Sequence, residues 1–420
     1  MIQNKQKTVK IKRSLKFIIL LLILFVFGLN IPKASTLVIF LLFYIILIKW
    51  NDINKKDFII QSFLLLMFSF TYYLIIYDYG FIELRNAILN ILIIHSCYTL
   101  GYSINRMTTY NWPYDLMWII LSIVAGFVVF SFLSVYSDFA NYNYNLLMNR
   151  EAIPFWSGGD PVNAPVFGIF ASLGLCLAPL LFFGKDQSTK KGYSFLITII
   201  VLLLFIGGFY VNFILQNRSP FVALALSFIS SAFVYFFIKR CKLSYKIKTL
   251  FLIGIIFSIS YYLFVNNIYD YTKFPIAMRF EVLGLKTIRY ESWKYMIKAI
   301  LNFSNISGGR IAYIGGLSFV HNLWLDVAYG AGILPLVFLL IFHANHLKSF
   351  IIIIRARVPL PVTITIITVS ISIVSAFMVE PIMDASVPYF SATCFLFGLI
   401  RRFSYDIKFS EKIKLKTQPL

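Results

Sequence analysis

An all-α, polytopic membrane protein is the fold class this sequence predicts. Two observations carry the prediction. Of 420 residues, 60% are hydrophobic and 13% charged, against about 25% charged in a soluble domain. Apolar runs close to the ~20 residues that a helix needs to cross a bilayer recur along the chain.

The first run follows the basic stretch "KQKTVKIKRSLK" (5–16). No small-residue cleavage pattern follows it, so it reads as an uncleaved span, 15–30, rather than a secretory leader. Spans are then expected at 34–49, 58–77, 81–103 and 116–137. After a long loop (138–163) they resume at 164–184, 194–214, 219–238 and 249–266. A longer loop (267–321) precedes the last three, 322–342, 361–379 and 385–400. That is about twelve in one integral membrane domain, 1–420. The segment "KSFIIIIRARVP" (348–359) is too short to cross and is expected to lie in the membrane interface.

Charge sets the expected orientation. With the N-terminus inside, the inner segments are 1–16, 49–57, 104–115, 185–193, 239–248, 343–360 and 401–420. They hold 27 of the 38 basic residues but 6 of the 17 acidic ones, so the whole formal charge of +21 falls on that side. This is the positive-inside pattern, with both termini cytoplasmic. It also removes nucleic acid as a partner, because the basic segments are short, flank spans and face an anionic leaflet.

On this topology His321, with Asn322 and Asp326, stands at the outer mouth of span ten. Unpaired polar groups are costly in lipid, so such a cluster implies a polar cavity. Arg218 occupies the short outer turn "QNRSP" (216–220) between spans seven and eight. In the second loop, 287–303 reads as an amphipathic helix. Trp293, Met296, Ile297, Ile300 and Leu301 form its inward face, and Glu291, Lys294 and Lys298 form its solvated face. Arg289 lies four residues before Trp293 and so shares the inward face. Two guanidinium forks and one imidazole facing one cavity suit anion binding with proton transfer. Each residue also has a plainer reading: Arg218 as a snorkelling interface residue, Arg289 as an ion-pair partner, His321 as a polar residue at a helix start.

Other chemistry is not supported. There is no DxD or HExxH sequence, and the first outer turn, "NIPKAS", lacks an acidic residue. His343 and His346 have i, i+3 spacing but are expected to anchor the inner interface rather than bind metal. Cys97, Cys176, Cys241 and Cys394 show no metal-binding spacing and read as small membrane-helix residues.

In sequence order, "QNRSP", "RYESW" (289–293) with the break "SGGR" (307–310), and "HNLWLD" (321–326) with Gly330 and Gly332 resemble the O-antigen polymerase and ligase superfamily of bacterial envelope enzymes. The motifs cover roughly 210–342, and the topology covers the whole chain. One departure is "NRSP" where many relatives carry a glycine-containing turn. The resemblance implies a GT-C-like fold and inverting, metal-independent glycosyl transfer at the outer face of the bacterial inner membrane. Its donor is an undecaprenyl-pyrophosphate-linked oligosaccharide. It casts Arg218 and Arg289 as neutralising the leaving pyrophosphate and His321 as handling the acceptor's proton. Asn322, Trp293, Arg310, Trp156 and Arg150 are candidate substrate contacts. No metal or cofactor is implied; membrane lipid and a chain-length regulator protein are implied partners. A polymerase is the leading expectation, ahead of a ligase that acts on lipid A core. A flippase of lipid-linked oligosaccharide stands third, because no paired halves with broken helices are visible.

Overall fold

The computed structural model describes residues 2–31, 55–104, 112–143, 146, 149–156, 159–184, 191–238, 247, 288–356 and 358–417. These residues are almost wholly helical, as a bilayer demands: a helix satisfies its own backbone N–H and C=O groups where no water can. In order they form α1 (Ile2–Gly28), α2 (Lys55–Asp78), α3 (Leu84–Ser103) and α4 (Trp112–Ala140). Two short strands follow, β1 (Glu151–Ala152) and β2 (Val162–Asn163), paired antiparallel. Next come α5 (Ala164–Leu175), α6 (Pro179–Phe183), α7 (Lys191–Ile214) and α8 (Ser219–Phe233), the last continued by a π-helical turn, Val234–Ile238. The final group is α9 (Ile288–Leu301), α10 (Leu323–Ala331), α11 (Ile333–Arg355), α12 (Leu360–Val379), α13 (Ile382–Ala385) and α14 (Val387–Thr417).

Among the described residues, seven segments are long and apolar enough to cross a membrane: Lys56–Asp78, Pro113–Ala140, Ala164–Phe183, Phe195–Ile214, Ser219–Ile238, Ile333–Arg355 and Leu360–Val379. The described residues are therefore those of an all-α membrane protein with almost no strand. Helices also form where spans were expected at 15–30, 81–103 and 385–400, but they fall outside those seven. The expected spans 34–49 and 249–266 lie outside the described residues.

Two expectations are corrected around span ten. The helix does not run through 322–342; it breaks at Gly332, and the crossing segment is Ile333–Arg355. The segment from Lys348 to Arg355 is thus the end of α11 rather than a separate interfacial piece. The break is a backbone event. Gly332 has φ +84, and a Cβ there would overlap the Ile306 carbonyl oxygen. Ile333 N–H donates to that same oxygen at 3.0 Å. Only glycine takes this conformation at such close approach without strain.

The chain divides into two compact units. One comprises 1–130, 288–357 and 376–420; the other comprises 131–287 and 358–375. In the first, α3 and α14 cross where both helices offer glycine: a Cβ on Gly101 would overlap the Phe395 carbonyl oxygen, and one on Gly398 the Tyr98 carbonyl oxygen. Small residues let helix backbones pack closely where lipid supplies no hydrophobic drive between helices. Arg401 of α14 then ties four helices together. It is bidentate on Asp57 of α2 (2.6 and 3.1 Å) and donates to the Asn345 carbonyl of α11 (2.7 Å) and to Ser349 (3.0 Å). Tyr102 of α3 donates to the same carboxylate at 3.2 Å.

His346 is buried and His343 half-buried. They pack against Phe342 and Phe397, with Trp324 Nε1 donating to His343 Nδ1 at 2.9 Å.

In the second unit α5 and α7 pack through Gly208, where a Cβ would crowd the Ala171 carbonyl. α7 is apolar even on its outer side, where Phe195 and Leu203 stand exposed, as suits a lipid-facing helix.

Arg401→Met should lower the melting temperature of the detergent-purified protein, because Asp57 would lose its counter-ion. The loss should fall between the ~1 kcal/mol of a surface pair and the ~3–5 kcal/mol of a buried one, since both side chains are about one-fifth exposed. An unchanged melting curve would show that the pair holds nothing together.

Candidate functional site

In the first unit, three separated segments converge. The first turn of α9 brings Arg289, the loop before α10 brings His321, and the end of α12 brings Glu380. Arg289 Nη1 donates to the Val379 carbonyl at 2.6 Å and lies 3.6 Å from Glu380 Oε1. A cation here meets the carbonyl end of the α12 dipole. The other Glu380 oxygen, Oε2, is 3.9 Å from His321 Nδ1. That is too long for a direct hydrogen bond. Glu380 is 5% exposed, so a buried carboxylate joins the guanidinium to the imidazole.

His321 is held in an unusual way. Its φ is +58, a left-handed conformation uncommon for a residue with a side chain. Asp326, one turn into α10, stabilises it from behind. Its Oδ1 accepts from Val320 N–H at 2.7 Å and its Oδ2 from Asn322 N–H at 2.9 Å, on either side of the histidine. Asn322 is the N-cap of α10, its side-chain oxygen accepting from Leu325 N–H at 3.2 Å. This explains the polar cluster at the head of an apolar run. Asn322 and Asp326 satisfy backbone donors at a helix start, and the imidazole is what they present.

α9 is positioned by a buried face of Ser292, Met296 and Ala299. Ser292 donates to the Ile314 carbonyl at 2.7 Å, Met296 is fully buried, and Ala299 is nearly so. Trp293 Nε1 donates to the Val320 carbonyl at 3.0 Å, one residue from His321. The expected inward face is corrected here. Met296 faces in and Ile300 is half-buried, but Ile297 is 47% and Leu301 71% exposed. Ser292 and Ala299, which carry little hydrophobic signal, set the true phase.

Arg310 pairs with Asp384 and lies between two rings, 4.5 Å from the centroid of Phe81 and 5.1 Å from that of Phe319. Its charge is thus already matched by a carboxylate and two aromatic faces.

Arg150, Trp156 and Arg218 belong to the second unit. Arg150 donates to the Leu215 carbonyl at 3.1 Å and to Asn217 Oδ1 at 3.0 Å, stapling the turn that carries Arg218. Arg218 is half-buried at the N-cap of α8, where its carbonyl accepts from Phe221 N–H at 3.1 Å. Trp156 is 38% exposed and makes a T-shaped contact with Phe155 at 4.8 Å. The structure therefore brings Arg289 and His321 to Glu380, with Trp293 and Asn322 bonded to the backbone on either side, while Arg150 and Arg218 are described within the second unit.

Sequence reasoning missed Glu380 and Asp384. A signal for both existed: they are the only charged residues between Arg357 and Arg401.

Burial first, and the Arg289 cation second, pull the His321 pKa from 6.5 to about 4. The ring is neutral at physiological pH and can accept a proton. Compared with known protein families and with curated proteins, the chain matches none.

Two outcomes follow from this geometry. The unfolded chain protonates His321 near pH 6.5 and the folded one near 4. The stability this group contributes is therefore complete above 6.5 and is lost as pH falls toward 4. Melting temperatures of wild type and His321→Gln across that window should differ in slope, with the variant flatter; parallel curves would contradict a buried neutral imidazole. Asp326→Asn should release the His321 backbone, because an amide offers one acceptor where two are used. Proteolysis between 315 and 323 should speed up, and wild-type resistance would show that the carboxylate is dispensable.

Proposed function

We propose that this protein is a surface-polysaccharide polymerase of the O-antigen type. It would join undecaprenyl-pyrophosphate-linked repeat units by inverting, metal-independent glycosyl transfer at the outer face of a bacterial inner membrane. About twelve spans in a GT-C-like arrangement, with both termini cytoplasmic, complete the proposal. The observation that carries it is the Arg289–Glu380–His321 cluster: an anion-binding fork and a neutral base joined by a buried carboxylate. The motif order set out in the sequence supports the choice of reaction.

The chemistry follows from these groups. The acceptor hydroxyl attacks the anomeric carbon of the donor sugar from the face opposite the pyrophosphate, and the C–O bond to pyrophosphate breaks. His321 Nε2 takes the hydroxyl proton, with Nδ1–H directed at Glu380, whose charge stabilises the imidazolium that forms. Arg289 keeps one donor on the Val379 carbonyl, and the rest of its fork offers hydrogen bonds to the departing pyrophosphate. The resemblance also gives Arg218 an anion-binding role. Trp293 and Asn322 act by holding α9 and the His321 loop in place, and Trp156 offers an exposed ring for a sugar face.

Single-site variants in a lipopolysaccharide-bearing host test the reading. His321→Ala should cut elongation by about 10²–10⁴-fold while the protein still accumulates. Arg289→Ala should abolish elongation, and Arg289→Lys should rescue it poorly, since a point charge lacks the fork. Glu380→Gln should be intermediate. Cores capped by a single repeat unit would support a polymerase. Bare cores with polymer stranded on the lipid carrier would indicate a ligase instead, and unpolymerised units trapped on the inner leaflet a flippase. Normal long chains in His321→Ala would sink the proposal.

A further inference from the structure

The side of α9 that faces away from Met296 is an apolar surface left exposed among the described residues. Tyr290, Ile297 and Leu301 fall within a narrow arc of the helix and are 54%, 47% and 71% exposed. With Trp293 they line an open groove of about 450 Å³, bordered by Lys294, Lys298 and Asn302. The order around the helix is informative. At 100° per residue, the buried face of Ser292, Met296 and Ala299 gives way to the apolar arc, then to Lys294 and Lys298, then to Glu291. The loop beyond continues the theme, with Phe303 69% and Ile306 57% exposed.

We propose that this arc lies in the headgroup–acyl boundary of an anionic phospholipid leaflet, so that α9 is an interfacial helix as well as the carrier of Arg289. Water is a poor occupant for a continuous arc of Tyr, Ile and Leu next to a groove. A bilayer interface suits each part of it. Branched and aromatic side chains enter the acyl boundary, and Tyr and Trp rings favour that depth. The two lysines stand on the edge nearest water, where their long stems reach the phosphates. Their charge selects an anionic leaflet over a neutral one. Glu291, which such a leaflet would repel, lies beyond the lysines on the side away from the arc. The protein already spans a membrane, so the surface need not be brought to one. This inference does not depend on the transferase reading. Its consequence is that Arg289, in the first turn of the same helix, is held near the depth of lipid phosphates.

Photocrosslinking in the full-length protein tests it. p-Benzoylphenylalanine would replace Ile297, Leu301 or Glu291 in turn, in nanodiscs of mixed phosphatidylglycerol and phosphatidylcholine, with adducts identified by mass spectrometry. Several-fold more lipid adduct at 297 and 301 than at 291 is expected, with phosphatidylglycerol captured above its mole fraction. The double variant Lys294→Gln/Lys298→Gln should reduce that capture to the mole fraction while lipid adducts persist. Equal yields at all three positions would show an arc that faces water. Adducts to another part of the chain would show that the protein itself covers it, and dimeric adducts would assign it to a second copy. Lipid capture without any headgroup preference would overturn the role given to the lysines. Each of these results would overturn the proposal as stated.

Discussion

The candidate site rests on a contact between two stretches of backbone. Gly308 and Gly332 meet with no side chain between them: a Cβ on Gly308 would strike the Gly332 nitrogen, and both residues have φ near +80. Around this point Gly309 N–H donates to the Gly330 carbonyl at 2.8 Å, Arg310 N–H to that of Tyr329 at 2.9 Å, and Asn305 to that of Ala328 at 2.6 Å. These bonds give partners to the Tyr329 and Gly330 carbonyls at the broken end of α10, and a second donor to that of Ala328, which already accepts from Gly332 N–H at 2.8 Å. The seam holds the loop after α9 against the junction of α10 and α11. Arg289 and His321, which lie on either side of that loop, are thereby kept within reach of one carboxylate.

The polar groups of the first unit form two sets with different tasks. Asp326, Asn322 and Ser292 satisfy backbone groups and are largely consumed in doing so. Arg310 and Asp384 neutralise each other. Arg289 and His321 stand 3.6 and 3.9 Å from Glu380, and their side chains remain 30% and 24% exposed. A set left open on one side has donors and acceptors that another molecule can reach. A structural set closes on itself, as Arg401 does with Asp57. That difference in geometry, rather than the presence of charge, separates the candidate site from the scaffold.

Helix α9 shows how far periodicity reaches and where it stops. Its amphipathic character and its charged face are visible in the sequence, and Glu291, Lys294 and Lys298 are indeed exposed. The apolar residues suggested an inward face that includes Ile297 and Leu301. Packing instead selected Ser292, Met296 and Ala299: Ser292 bonds the Ile314 carbonyl, Met296 is fully buried, and Ala299 is nearly so. A helix between a protein and a lipid surface has two apolar faces, and hydrophobicity alone does not tell them apart.

From the sequence alone come the helical class, most of the crossing segments and the cluster at His321. Each depends on local composition: bilayer thickness sets the length of an apolar run, and an isolated polar group in such a run needs a reason. The helix break at Gly332, the identity of Glu380 as the carboxylate between Arg289 and His321, and the true phase of α9 were decided by tertiary structure. Glu380 lies 91 positions beyond Arg289 and 59 beyond His321, and no spacing rule links residues across intervening membrane helices. They meet because glycines let backbones touch and because a buried carboxylate must find its cation.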